Sequence, residues 1–461
     1  MTVPDTIDHA RMFRPPVNRT MRVLDRPYFN TVFPIAAAKV RDWQKISGLK
    51  TRLRKEMLEL ERRKQVESVS EAPGELSKVI LLKPEITPSD ESTWSPTISD
   101  LVKSQDISIV PFDLELDYNY WQYQDIMSSV LPEAIKDDYP NSFSIVGHVV
   151  HLNLRDEHQP HKYLIASVLL DKVTGARAVI NKIDEVGSTN IFRTFNYELL
   201  AGVDDLSVEV YEDDCYFKFD YSKVYWNQRL NTEHKRMVNN FLPGEAICDV
   251  MAGVGPFAVP AGKKRCWVMA NDLNPDSYRS LRYAVKRNKV TDFVEAYNED
   301  GSDFIRSSTR KLLSEEVKAT ITKRTPRSLR DSSDFRGVEQ KVLVRPKTFA
   351  HYVLNLPASA INFLPSFIGL YKGQEHLFAP ETKTKLPLVH VYCFNTKDDD
   401  TNAVEGRICK GISDRLAFEM KPGDGETEGQ VSIWDVRDVA PSKRMFCATF
   451  RLPTMVAFNA R

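Results

Sequence analysis

No stretch of the 461-residue chain approaches eighteen consecutive apolar residues, which excludes a membrane-spanning helix. The N-terminus lacks a short apolar block behind a basic start, so no secretory signal is expected. CxxC and CxxH spacings are absent. Cys215, Cys248, Cys266, Cys393, Cys409 and Cys447 mostly sit inside apolar, strand-like runs and read as reduced core thiols. Net charge is missing too: Lys+Arg and Asp+Glu both number 63, so any sign of nucleic-acid binding must be local. What is present is ordinary globular usage, 42% hydrophobic and 27% charged, in a chain too long for one core. Two or three domains are expected.

The segment up to Arg41 carries Arg11, Arg14, Arg19, Arg22, Arg26 and Lys39 interleaved with Pro15, Pro16, Pro27 and Pro34. It reads as an irregular, solvated basic arm, with RNA contact or an organelle address as the other readings. Leu49, Leu53, Met57 and Leu60 have helical spacing over 48–68, and the Ser, Thr, Pro and acid run from Ser89 to Thr97 predicts a loop. Alternation over Phe143–Leu154, repeated over Tyr163–Leu170 before a Thr174-Gly175 turn, predicts strands. The division expected is an N-terminal domain over 1–137, a small α/β domain over 138–206 and a third domain over 207–461. His148, His151, His158 and His161 invite a metal, but no cysteine or acid completes a tetrahedral set, so none is expected.

From 207 onward short apolar runs alternate with helical patterns. Ala246-Ile-Cys-Asp-Val, Trp267-Val-Met-Ala, Phe293-Val-Glu-Ala-Tyr, Tyr352-Val-Leu and Leu388–Phe394 predict strands, and Pro275–Lys289 predicts an amphipathic helix. This is the pattern of a doubly wound, mainly parallel α/β sheet with its chemistry at the strands' carboxyl ends. Val431–Val436 and Met445–Phe450 add an antiparallel hairpin at one edge. Between Arg306 and Lys347 twelve Lys or Arg face only five Asp or Glu, which predicts a structureless basic insertion, either solvated or in contact with RNA.

After the first strand of this sheet comes Asp249-Val-Met-Ala-Gly253-Val-Gly255-Pro256, formally a dinucleotide-binding turn. Two residues argue against a pyrophosphate. Asp249 would repel it, and Pro256 removes an N–H that would otherwise donate to it. The loop suits a cationic ligand, and S-adenosylmethionine, with a sulfonium and an amino group against one carboxylate, is such a ligand. Asp272, ending the second strand, can take both ribose hydroxyls; Asp300-Gly301, after the third, can meet the adenine amino group. Asn355-Leu-Pro357 closes the fourth strand with an amide able to pair with the edge of a planar base.

These residues resemble one family, the eukaryotic and archaeal tRNA (guanine-N1)-methyltransferases that modify the guanosine 3′ of the anticodon. The matching strings are Asn181-Lys-Ile-Asp-Glu185, Phe192-Arg193, Glu198–Gly202, Tyr225–His234, Asp249–Gly262, Asn271–Pro275, Asn355–Pro357 and Phe450–Pro453. The resemblance implies a class I methyltransferase Rossmann-like sheet, a small α/β middle domain and an N-terminal domain that reads the tRNA elbow. It assigns cofactor contacts to Tyr225, His234, Asp249, Gly253, Gly255, Asp272, Leu273, Asp300, Gly301 and Asn355. Arg193, Arg229, Asn274 and Pro357 are assigned to tRNA. A sister family transfers the aminocarboxypropyl group of the same cofactor.

Guanine N1 carries a proton at neutral pH, so its methylation needs a base, and a cation near O6 would stabilise the charge that develops. The resemblance implies Glu233 as the base, Arg193 as the cation and Asn355 as the residue orienting a flipped guanine. From spacing alone, Glu233 could equally be a surface partner of Arg229. An NAD-dependent oxidoreductase and a noncatalytic tRNA-binding protein are the competing readings. A monomer is expected, working on tRNA without membrane or metal, in cytoplasm and nucleus with a further mitochondrial matrix pool.

Overall fold

The computed structural model describes residues 13–72, 75–183, 192, 194–324, 338–396, 400–440 and 442–459. Two compact units divide the chain. One runs to Phe143 and includes Leu152–Asn181 and Leu199–Val203; the other comprises Ser144–His151, Lys182–Glu198 and Asp204 onward.

The first unit is built on a four-stranded antiparallel sheet in the order Val66–Ala72, Glu75–Leu81, Thr31–Val40, Ile107–Leu116. The basic segment is therefore not a solvated arm over its described part. Ile35-Ala-Ala-Ala38 is apolar enough to make Thr31–Val40 an inner strand, with Ala36, Ala37 and Ala38 fully buried. Upstream, the Asn18 N–H donates to the Ser129 carbonyl at 3.0 Å, and the Arg19 guanidinium donates to the carbonyls of Ser128 and Leu131. Arginines expected in solvent thus satisfy backbone acceptors.

Four local expectations are corrected or refined. The helix expected over 48–68 covers only Ile46–Arg52. Leu53 and Met57 are buried as expected, but in turns, because Leu58 donates to the Leu81 carbonyl at 2.9 Å and Met57 bridges to Leu82, drawing the backbone alongside a strand. Tyr163–Leu170 lies in a helix, Lys162–Lys172. Its buried residues Leu164, Ile165, Val168 and Leu169 follow helical spacing, and a short apolar run fits either period until its length decides. Phe143–Leu154 is a hairpin of Ser144–Val146 and Val149–Leu152, turned at Gly147 with φ 56°. The Ser89–Thr97 loop contains one helical turn, and Ser95 caps the helix Pro96–Lys103 by accepting from the Ile98 N–H.

The second unit is dominated by an eight-stranded sheet. Five parallel strands run in the spatial order Val294–Tyr297, Trp267–Asn271, Ala246–Asp249, His351–Leu354, Leu388–Thr396. The antiparallel hairpin of Lys443–Arg451 and Gln430–Ala440 extends the last edge, followed by the short Lys421–Pro422. Chain order reverses between Ala246–Asp249 and His351–Leu354, so the topological switch point lies there, where open α/β sheets bind ligands. The fold is thus the doubly wound, Rossmann-like sheet that the sequence pattern implies. All six cysteines are free thiols, five of them buried.

The insertion over 306–347 is not structureless. The helix Gly301–Ser314 occupies its start, and Lys318–Arg324 pairs antiparallel with Val338–Val344. The β-branched Val342 and Val344 favour the strand, and the buried Arg345 anchors its base by donating to Glu295 Oε1 at 2.6 Å. Among the described residues, no helix is long and apolar enough to cross a membrane.

Candidate active site

A cleft opens at the carboxyl ends of the parallel strands, lined by residues that include Tyr225, Gly253, Asp272, Asp300 and Asn355. The turn after Ala246–Asp249 forms one wall. Gly253 has φ 57° and Gly255 φ 98°, left-handed conformations that favour glycine. At Gly255 a Cβ would also stand 2.6 Å from Leu281 Cδ1, so the turn can approach the helix Pro275–Arg287 this closely only without a side chain.

Asp272 organises this wall. Its Oδ2 accepts from the Gly253 N–H at 2.8 Å and its Oδ1 from the Asn274 N–H at 2.9 Å. Burial nevertheless raises its carboxyl above the ordinary range. Behind it, Asp249 is fully buried and neither carboxylate oxygen has a hydrogen-bond partner. Burial, with the nearby Asp272 second, pushes the Asp249 carboxyl well above its ordinary value. Asp249 does not line the cleft, but an acidic group without a partner behind the Asp272 wall disfavours an anion on that side of it and favours a cation. The donor set therefore fits a ligand carrying positive charge beside a diol.

The remaining loops complete the cleft. Asp300 caps the helix Gly301–Ser314, accepting from the Ser302 N–H at 2.8 Å, while Leu273 stands exposed at the rim. Gly301 is packed so closely that a Cβ there would lie 2.9 Å from the Phe363 ring. Asn355 follows the fourth strand, and the carbonyl of buried Pro357 accepts from the Phe394 N–H at 3.1 Å, fixing the loop on the next strand. A second hollow continues past Tyr225 and Asn355 to His234, Pro256 and Phe257. His234 is buried, with Nδ1 2.6 Å from Glu212 Oε1 and its ring edge-on to Phe257 at 5.0 Å.

Tyr225, His234, Gly253, Asp272, Leu273, Asp300, Gly301 and Asn355 thus all border these adjoining hollows, whereas Asp249 and Gly255, also expected to touch the cofactor, line neither: Asp249 is buried behind the wall and Gly255 packs against Leu281. Asn274 borders the cleft as well, but its side chain is committed within the protein, donating to the Lys223 carbonyl at 2.7 Å and capping the helix Pro275–Arg287. Arg193 lies outside the described residues, although its neighbour Phe192 lines the cleft. Arg229 is exposed in a helical turn and is not the partner of Glu233. Glu233 is buried in the helix Asn231–Asn240. Arg236 donates to both its oxygens at 2.7 Å, and the Tyr392 hydroxyl donates to Oε1 at 2.6 Å. It does not line either hollow.

Sequence reasoning missed several wall residues. Asn271 donates to the carbonyls of Val250 and Glu299 and accepts from the Glu299 N–H at 2.8 Å, tying two strand-end loops together. Its position at a strand end was the available signal. Met251, Ser277, Leu356 and Phe363 also line the cleft, and as apolar or small residues they carry no chemical mark in a sequence.

The sequence pattern of the TRM5/TYW2 methyltransferase domain matches residues 208–331, and that of the TYW2 N-terminal domain matches 123–205. A tRNA (guanine(37)-N(1))-methyltransferase of Aspergillus fumigatus is 49% identical, with 98% of this chain and 97% of that protein covered. The enzyme of the same name from Schizosaccharomyces pombe is 42% identical over 95% of each. Among solved structures, wild-type Trm5b from Pyrococcus abyssi is 19% identical and superposes with a TM-score of 0.55, covering 90% of this chain and 99% of that one. The structure titled as a complex of aTrm5 and tRNALeu gives the same score at 18% identity and the same coverage. At these identities the two structures support the fold. The full-length likeness to the fungal enzymes settles the lineage: the chain belongs to the tRNA (guanine(37)-N(1))-methyltransferase family.

Proposed function

We propose that this chain transfers a methyl group from S-adenosylmethionine to N1 of the guanosine 3′ of the tRNA anticodon. The observation that carries the reading is the convergence of Gly253, Asp272, Asp300 and Asn355 on one cleft at the switch point, with the unpartnered Asp249 buried behind Asp272, an acidic wall suited to a cationic nucleoside. Asp272 would hold the ribose and Asp300 with Gly301 would border the adenine. When bound, the cofactor supplies the methyl group on a sulfonium leaving group.

The rest falls to side chains of this protein. Asn355, between the two hollows, is assigned to the guanine edge, and Glu233 to the N1 proton. Arg193 is assigned to the charge developing on O6, and Arg229 to the RNA. The N-terminal unit is assigned to the tRNA elbow, and the domain limits of 137 and 206 follow that division of labour. The same reading has a monomer acting in cytoplasm and nucleus, with a mitochondrial pool.

Two variants test the reading. Asp272→Ala should weaken S-adenosylmethionine binding at least about tenfold by calorimetry; unchanged affinity in a folded variant removes Asp272 from the site. Glu233→Gln keeps shape and polarity but loses basicity. Its single-turnover rate at saturating tRNA and cofactor should fall about 10²–10⁴-fold, with partial rescue at higher pH. A wild-type rate across pH would return Glu233 to a structural role.

A further inference from the structure

Glu233 is more constrained than a catalytic carboxylate identified from sequence would lead one to expect. A carboxylate offers about four acceptor positions. Oε1 receives both the Tyr392 hydroxyl at 2.6 Å and an Arg236 terminal N–H at 2.7 Å, and Oε2 receives the Arg236 Nε–H at 2.7 Å. Three donors therefore leave one position, on Oε2. The groups facing the carboxylate are Arg236 from its own helix, Tyr392 from Leu388–Thr396 and Cys447 from Lys443–Arg451.

The two donors differ in character. Tyr392 is fully buried beneath Phe257, whose ring lies 6.1 Å away and lines the second hollow. Burial holds the Tyr392 phenol well above its ordinary value, so it stays a neutral donor. Arg236 reaches outward: its side chain is 26% exposed and its guanidinium lies 5.0 Å from the ring of Trp434, itself exposed on the edge hairpin. An aromatic face over a guanidinium restricts how that guanidinium can turn. Arg236 is thus gripped on one side by Trp434 and on the other by Glu233, in the fork-to-carboxylate geometry that a lysine cannot reproduce.

We propose that Arg236, steadied by Trp434 and assisted by Tyr392, is a positioning residue for proton abstraction: it fixes the Glu233 carboxylate so that a single acceptor position on Oε2 is kept for the N1 proton. The inference rests on the reading of Glu233 as the base. No bond to substrate is assigned to Arg236 itself. The N1 proton passes to Oε2, the N1 lone pair is released for the methyl group, and Arg236 and Tyr392 keep their own protons throughout.

The test compares Arg236→Lys, Tyr392→Phe and Glu233→Gln with the wild-type enzyme. Single-turnover rates are read across pH at saturating tRNA and S-adenosylmethionine, together with the affinity for each. Arg236→Lys keeps the charge but loses the fork, and should lower the rate about tenfold or more while both affinities stay within about twofold. Tyr392→Phe, which is nearly isosteric, should lower the rate in the same sense by a smaller factor. The positioning role is overturned if Glu233→Gln is slow but Arg236→Lys matches wild type in rate and profile. It is also overturned if Arg236→Lys loses tRNA affinity in proportion to rate. A Glu233→Gln enzyme at the wild-type rate defeats the base assignment instead, whatever Arg236→Lys does.

Discussion

At the scale of single residues, the site is organised by carboxylates whose environments differ. Asp249 is buried without a partner, Asp272 is held by two backbone N–H groups, and Glu233 is clamped by Arg236 and Tyr392. Asp249 carries a thermodynamic prediction. Its folded value is raised by burial, so its contribution to stability is fully present below the unfolded carboxyl value and is lost as pH rises through the raised folded value. Asp249→Asn should therefore raise the melting temperature of the cofactor-free protein by a few degrees at neutral pH. That advantage should shrink toward about pH 4, where the unfolded carboxyl also binds its proton. The same variant should bind S-adenosylmethionine at least about tenfold more weakly, because the charge that destabilises the empty site is the one that attracts the ligand. Calorimetric melts with cofactor titrations read both signs; an Asp249→Asn protein that is both less stable and unimpaired in binding would contradict this account. Asp249 and Asp272 could be found from sequence because their chemistry depends on strand-end position, which periodicity reveals. The clamp on Glu233 could not, because Tyr392 and Arg236 reach it from different elements and only the folded sheet brings them together.

At the scale of elements, periodicity was informative where one period dominates and failed where two compete. The five parallel strands and the helix Pro275–Arg287 follow their sequence patterns closely. Tyr163–Leu170 does not, since β-branched and leucine residues in an eight-residue run satisfy both a strand and a buried helix. The basic insertion shows a different limit: counting charges gives its sign but says nothing about pairing, and its flanks form the Lys318–Arg324 and Val338–Val344 hairpin. Strand pairing in the insertion reduces the conformational freedom its backbone would lose on contacting phosphates. Neutralising Lys323 and Arg324 with Arg327 and Arg330, the last two outside the described residues, should raise the tRNA dissociation constant. It should also flatten the salt dependence of binding while leaving the saturated single-turnover rate unchanged. An unaltered salt slope would make the hairpin a solvated appendage. Gly301 gives a second test at this scale. Gly301→Ala would press a methyl group onto Phe363 and should weaken cofactor binding more than tRNA binding, as read by separate titrations; equal losses would point to general unfolding of the cleft wall.

At the scale of the whole molecule, the sheet fixes where the chemistry can be. Chain order reverses between Ala246–Asp249 and His351–Leu354, and the loops that follow these and the neighbouring strands supply Gly253, Asp272, Asp300 and Asn355 to one cleft. That convergence follows from topology, and it explains why four motifs scattered along the sequence can act on one ligand. The partition into two compact units was less legible, because the segments 138–206 contribute to both and sequence composition shifts little across them. The central claim is that this cleft methylates N1 of the guanosine 3′ of the anticodon. It is tested most directly by incubating the purified protein with unmodified tRNA and methyl-labelled S-adenosylmethionine, then mapping the labelled nucleoside by position and mass. The account predicts label only in N1-methylguanosine at that position, and its loss when the guanosine is replaced by adenosine. Label at another nucleoside, an added aminocarboxypropyl mass, or tRNA binding with no transfer at all would contradict it.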